Sequence, residues 1–325
     1  MNKICYGCGA KLQSDDENKV GYVPSSLNNP KYCMRCFKMM NYGINNNLDI
    51  PKDTKEIIRK VNKDKIFVIF LVDLLNISDK VLDIFKSIKK DKLLVVNKCE
   101  LMSNNITSDK LISILRNYYH INTDIRLKGG RSHHGARGIL GYLKEHDIHE
   151  AYVLGLTNSG KSTFINDIAE ILESDINKIN VSNKSNTTYD FLRVKLNGNL
   201  TLIDSPGFVL DNSLFHEVNK DSIKEITFNM KDNEVLSLLD NKYFIKVTNN
   251  TSLTIYHNIN GNKPFRKYYK DIDLLDNNIN ISNDNTDIII YGFGFIRVKN
   301  STNILTNIDN KYIELRPSLF GGKYE

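Results

Sequence analysis

The stretch Gly155-Leu-Thr-Asn-Ser-Gly160-Lys161-Ser162 constrains this chain more than any other part of it. A glycine, four residues and then Gly-Lys-Ser follow the apolar run Ala151 to Leu154 and open a helix-like stretch from Lys161 to Leu172. In such a strand, loop and helix setting, successive backbone N–H groups converge on a phosphate, and the helix N-terminus adds partial positive charge. Lys161 would reach the β- and γ-phosphates and Ser162 would ligate Mg²⁺. Thr157, Asn158, Ser159, Gly160 and Thr163 complete the expected cradle.

The flanking pattern fits a nucleotide-type domain. From Lys65 onward, short apolar runs (Ile66 to Val72, Lys92 to Val96, Ile121 to Leu127, Ala151 to Leu154) alternate with helical stretches (Asp79 to Lys89, Ser108 to Tyr119). A strand pair, Phe191 to Leu196 and Leu200 to Ile203, follows the helix after the phosphate loop. Such alternation predicts a parallel or mostly parallel sheet with helices on both faces, an α/β class. After about Asn212 the signal becomes β-rich, with strand-length pieces at Tyr243 to Thr248, Leu253 to His257, Asp287 to Val298 and Tyr312 to Arg316.

A length of 325 residues accommodates two or three folding units. The expected division is a cysteine module over 1–50, a nucleotide domain over 51–212 and a β-rich domain over 213–325. The longest apolar run has seven residues and ends on Asp73, against the roughly 20 needed to span a bilayer. No membrane partner is expected, and the polar N-terminus makes a cytoplasmic location the default.

The sequence Asp204-Ser-Pro206-Gly207 ends the strand Leu200 to Ile203, about forty residues after the phosphate loop. Asp204 there can hold the Mg²⁺ water shell, and Gly207 can offer its N–H to the γ-phosphate. Between the two motifs, Thr188 stands where a hydroxyl closing over Mg²⁺ is expected. A guanine base is recognised by a carboxylate that accepts from its N1 and N2 donors, within Asn-Lys-x-Asp at a strand end. Asn-Lys occurs ten times in this chain, but only Asn97-Lys98-Cys99-Glu100 has an acid three residues after the Asn and follows an apolar run. Glu100 replaces the usual Asp, which leaves an ATP-using reading open. The base motif precedes the phosphate loop by about sixty residues, the reverse of the ordinary order, and a circular permutation accounts for this.

Cys5-x2-Cys8 and Cys33-x2-Cys36, 24 residues apart, have the spacing of a four-thiolate Zn²⁺ site in a segment too poor in apolar residues to build a core. Cys99 is left over. The formal charge is +6, with 30 Lys and Arg against 24 Asp and Glu in residues 1–214 and 14 against 14 from 215 onward. Any electrostatic hold on an anionic partner therefore belongs to the first two thirds. Tyr291, Phe293, Phe295 and Arg297 are open to two readings, RNA stacking or an ordinary core.

Together, Cys5-Tyr-Gly-Cys8-Gly-Ala-Lys-Leu-Gln13, Gly21-Tyr-Val-Pro24, Tyr32-Cys33-Met-Arg-Cys36-Phe37, the nucleotide motifs and Asp287-Ile-Ile-Ile-Tyr-Gly-Phe-Gly-Phe-Ile-Arg297 resemble the YqeH-type circularly permuted GTPases. The resemblance covers essentially the whole chain. It implies a GTP-hydrolysing factor in biogenesis of the small (30S) ribosomal subunit, binding GTP or GDP with Mg²⁺, carrying Zn²⁺, and contacting rRNA or the pre-ribosome through its flanking domains. It also implies a K⁺ ion held partly by Asn158. Phe208 occupies the place where many GTPases carry a water-orienting Gln. The second base-contacting loop is not recoverable: neither Lys128-Gly129-Gly130 nor His134 to Arg137 fits its pattern. An RNA-binding adaptor that uses nucleotide only as a conformational switch is the alternative.

Overall fold

A computed structural model describes residues 12–16, 21–25, 27, 30, 33–34, 54–99, 108–129, 134–175, 191–196, 199–208, 210, 224–239, 241–257, 267–268 and 276–319. The chain divides into two compact units. The first comprises Met1–Asp73, Ile84–Glu100 and Thr123–Val209, and the second Leu74–Asp83, Leu101–Asn122 and Leu210–Glu325.

The first unit is built on a six-stranded sheet of β1 (Phe67–Asp73), β2 (Lys92–Asn97), β3 (Ile125–Leu127), β4 (Glu150–Gly155), β5 (Leu192–Lys195) and β6 (Thr201–Asp204), in the order β3-β2-β1-β4-β6-β5. All neighbours are parallel except the β5–β6 pair. Val68 through Val72 are buried without a break, because a parallel strand covered on both faces has no polar side to alternate with.

One face of this sheet packs on α4 (His134–Glu145) and α5 (Lys161–Asp175), where Ala136, Ile139, Leu140 and Leu143 meet Phe164, Ile165 and Ile168. The sequence reading did not assign α4 as a helix. Gly135, Gly138 and Gly141 lower its intrinsic helix propensity, yet its apolar residues recur at the 3, 4 and 7 spacing of a buried stripe. Packing outweighs propensity here. The helix α1 (Thr54–Val61), also unassigned from sequence, buries Ile57, Ile58 and Val61. Helices α2 (Asp79–Lys86) and α3 (Ser108–Asn117) fall within the stretches that the sequence marks as helical.

The connection from β1 to β2 runs to one side of the sheet, whereas β4 connects to β6 on the other. The strand order thus reverses between β1 and β4, and α/β sheets place their ligands at the carboxyl ends of the strands flanking such a reversal.

The second unit carries two five-stranded sheets. One contains β7 (Lys224–Met230), β10 (Thr251–His257), β13 (Thr286–Ile290), β14 (Gly294–Val298) and β16 (Ile313–Pro317) in the order β16-β13-β14-β10-β7. The other contains β8 (Val235–Leu238), β9 (Tyr243–Val247), β11 (Lys267–Tyr268), β12 (Asn277–Ile281) and β15 (Thr302–Thr306) in the order β11-β8-β9-β15-β12. Every pairing in both is antiparallel. Leu253, Ile255, Ile288 and Ile296 of the first sheet and Leu236, Ile245, Ile279 and Ile304 of the second share one core.

The apolar run Asp287 to Val298 is not one strand. It folds back at Tyr291-Gly292-Phe293 into the β13–β14 hairpin, with Ile288 opposite Ile296. Tyr291, Phe293 and Phe295 are 4%, 2% and 0% exposed, so of the two readings left open for them the core reading holds.

Candidate active site

The carboxyl ends of β1, β2, β4 and β6 lie side by side. Asp73 is in register with Asn97, Leu71 with Gly155, and Val153 with Asp204. The residues singled out in the sequence on these four strands and in the loops after them therefore converge on one edge of the sheet.

The phosphate loop is stitched to the base motif by side chains. Asn97 is 4% exposed and its Nδ2 donates to the Ser159 carbonyl at 2.9 Å. Lys98, in the left-handed conformation at φ 62°, donates from Nζ to the Asn158 carbonyl at 3.1 Å. These bonds explain Gly160. Its φ is +93°, and a Cβ built there would fall inside the Asn97 side-chain amide. No larger residue keeps both the loop and the base motif in place.

The Asp204 motif is stitched to the same loop by backbone. Thr157 N–H donates to the Phe208 carbonyl at 2.8 Å, Phe208 N–H donates to the Gly155 carbonyl at 3.1 Å, and the Thr157 hydroxyl also donates to Phe208 at 3.1 Å. A Cβ on Gly207 would lie 2.7 Å from the Thr157 Cα, so this close approach requires glycine. The Phe208 ring is 1% exposed and stacks on Phe70 at 6.0 Å. It faces the core and not the loop.

Lys161, at the start of α5, is 7% exposed, and its Nζ donates to the carbonyls of Gly155 at 3.1 Å and Leu156 at 2.9 Å. An ammonium folded against carbonyls inside a glycine-bearing loop suits an anion that would replace those acceptors. Asp204 is 8% exposed, Ser162 occupies the first turn of α5, and the Asn158 side chain is exposed. A nearly buried carboxylate and a helix-start hydroxyl are the oxygen donors that Mg²⁺ takes beside a phosphate.

Residues 150–269 match the family described as 50S ribosome-binding GTPase. Uncharacterized protein YqeH of Bacillus subtilis (strain 168) is 26% identical over 252 residues, which cover 72% of this chain and 69% of that protein. The chain is thus similar to the YqeH-type GTPases. NO-associated protein 1, chloroplastic/mitochondrial, of Arabidopsis thaliana is 24% identical over 192 residues, covering 50% of this chain and 34% of that one. The crystal structure of YjeQ from Thermotoga maritima is similar over 44% of this chain and 48% of its own, at 21% identity and a TM-score of 0.32, a likeness too slight to establish a common fold.

Two polar residues beside the phosphate loop have no role assigned from the sequence. Lys128 follows β3, and its backbone is tied at both ends: its N–H donates to Val96 at 2.8 Å and its carbonyl accepts from Cys99 at 3.0 Å. Those two bonds bring the loop after β3 beside the base motif, where a second base-contacting loop belongs. Its side chain turns inward, 1% exposed, to Asp167 of α5 at 2.7 Å. Asp73, which the sequence showed only as the end of an apolar run, is 2% exposed beside Lys98. Neither has a local signature, because each partner is distant in the chain.

Glu100, Thr188, Cys5, Cys8 and Cys36 lie outside the described residues. Cys33 is 1% exposed, and among the described residues no cluster of three or more His, Cys, Asp or Glu could hold a metal. No helix among them is long and apolar enough to cross a membrane.

Proposed function

We propose that this protein hydrolyses GTP and acts as an assembly factor of the small ribosomal subunit, its nucleotide state setting its grip on rRNA or the pre-ribosome. One observation carries the proposal: the phosphate loop is bonded to the Asn97-Lys98 pair and to the Asp204-Gly207 segment at a single sheet edge. Lys161 and the N–H groups at the start of α5 bind the phosphates. Asn97, Lys98 and Glu100 recognise guanine. Ser162, Thr188 and Asp204 hold Mg²⁺, which neutralises developing charge on the phosphates when bound. Gly207 offers its N–H to the γ-phosphate, and exposed Asn158 contributes to a K⁺ site. GTP stays favoured over ATP despite Glu100, since both Asn97 and Lys98 reach the phosphate loop through their side chains.

A permuted GTPase domain between a Zn²⁺ module and a β-rich domain is part of the same reading. The strand order β3-β2-β1-β4-β6-β5, with the phosphate loop after the fourth strand, supports it. So does a family match that begins at residue 150, after the base motif. The Zn²⁺ module rests on the spacing of Cys5, Cys8, Cys33 and Cys36, together with the burial of Cys33.

Titration of the full chain with GTP and ATP tests the base, and GTP affinity equal to or weaker than ATP affinity overturns it. Hydrolysis in KCl should exceed that in NaCl, and Asn158→Ala should remove the difference. Sedimentation with isolated subunits tests the partner. Co-migration with 30S particles in a slow-hydrolysing GTP analogue is expected, whereas co-migration with 50S particles would assign the large subunit that the matched family's description names. The inward-facing Phe208 ring favours one further reading, an RNA-binding adaptor with incidental turnover. It predicts that Lys161→Ala and the slow analogue affect release from the particle alike rather than oppositely.

A further inference from the structure

Asp73 ends β1 directly beside Asn97 of β2 in the parallel ladder. Its carboxylate is 2% exposed, and the Lys98 Nζ lies 3.6 Å from Oδ2. The same Nζ donates to the Asn158 carbonyl at 3.1 Å. Lys98 thus reaches across two strand ends from a left-handed backbone, φ 62°, a conformation that an unbranched residue keeps only when its surroundings fix it. A lysine stem has four rotatable bonds and a strongly hydrated head. With 24% of the side chain still exposed, one carbonyl acceptor does not confine it. The Asp73 carboxylate adds to that hold, because at 2% exposure its charge is little screened by water and attracts the ammonium more strongly than a surface carboxylate would.

We infer that Asp73 is a positioning residue for nucleotide binding, a carboxylate that touches no ligand but holds the Lys98 ammonium between the base motif and the phosphate loop. The inference rests on the reading of Asn97 and Lys98 as the base-side half of the nucleotide site. Asp73 would pre-organise that half before nucleotide arrives, so that binding does not have to order the lysine. Removing the charge would free Lys98 to rotate into solvent, and the nucleotide would then have to gather it back.

The test is a double-mutant cycle on the full chain, reading GDP affinity by titration calorimetry for wild type, Asp73→Asn, Lys98→Ala and the pair. Asp73→Asn is expected to weaken GDP binding roughly tenfold, and the pair should be no weaker than Lys98→Ala alone, a non-additivity that marks action through a shared partner. The nucleotide-free melting temperature of Asp73→Asn should stay near that of wild type. Asp73→Glu, which restores the charge, should recover part of the affinity. Additive losses, or an Asp73→Asn affinity within twofold of wild type, overturn the inference. If Asp73→Asn does not fold, Asp73→Ser replaces it with the same expected loss, and failure of both to fold assigns Asp73 a purely structural role and overturns the inference too. Wild type that binds ADP as tightly as GDP would defeat the guanine reading alone, and the same cycle run with ADP would still decide the role of Asp73.

Discussion

Both units bury charge, and they do so in opposite ways. In the first, Asp73, Lys98, Lys161 and Asp204 gather at strand ends, and the cations lean on backbone carbonyls of one loop. In the second, Arg316 and Asp287 face each other at 3.1 Å with both side chains 0% exposed. Arg316 also donates to the Ile77 carbonyl, lies over the Phe295 ring at 4.7 Å, and shares Asp287 with the Leu319 N–H. The first arrangement keeps part of the Lys98 side chain exposed and suits a charged ligand. The second is closed and serves only the fold. Burial of charge by itself therefore does not mark a site; what marks one is charge whose partners a ligand can replace.

The comparison predicts a graded set of outcomes. The largest concerns the closed pair: Arg316→Met should destabilise the second unit by about 3–5 kcal/mol, because Asp287 is left buried without its cation. Replacing both, as Asp287→Leu with Arg316→Met, should lose less than either single change. Urea unfolding followed by circular dichroism reads both, and equal losses for single and double variants would break the contrast.

In the open site, Lys161→Ala should weaken GTP binding by about a hundredfold or more. It should move nucleotide-free stability by about 1 kcal/mol, far less than Arg316→Met does, since the carbonyls of Gly155 and Leu156 are neutral acceptors. A stability loss matching that of Arg316→Met would mean that the two regions handle charge alike. Gly160→Ala comes next, with a cost of about 1–3 kcal/mol from the strained φ and the collision with Asn97. Adding Asn97→Ala should return part of that stability but none of the nucleotide binding.

The smallest effect is one of pH. Burial holds the Glu314 carboxyl above its ordinary value of 4.5, outweighing the bonds it accepts from the Tyr291 hydroxyl and the Asp79 N–H. The folded state thus favours the protonated form. Its contribution to the second unit is full below pH 4.5 and is lost as pH rises through the raised value. Denaturation midpoints measured across that window should fall with pH in wild type and fall less in Glu314→Gln.

The two units also differ in how legible they were. The parallel strands β1, β2 and β4 were readable because burial on both faces leaves continuous apolar runs. The helix α4 was hidden by its three glycines, and α1 by its mere eight residues. In the second unit, an apolar run from Asp287 to Val298 carries no information about where the chain turns except Gly292, and a single glycine fits a strand as well as a hairpin.

For the site, the amino-acid sequence alone determined the phosphate loop, the Asp204-Gly207 segment and the one Asn-Lys pair at a strand end, because these are short motifs whose chemistry is local. Tertiary structure alone decided that Asn97 fills the space a Gly160 side chain would need, that Phe208 faces the core, that Lys128 turns to Asp167 and that Asp73 sits under Lys98. Each of these facts joins residues more than twenty positions apart. Such partners meet only when parallel strands bring their carboxyl ends to one edge, and no local pattern encodes that meeting.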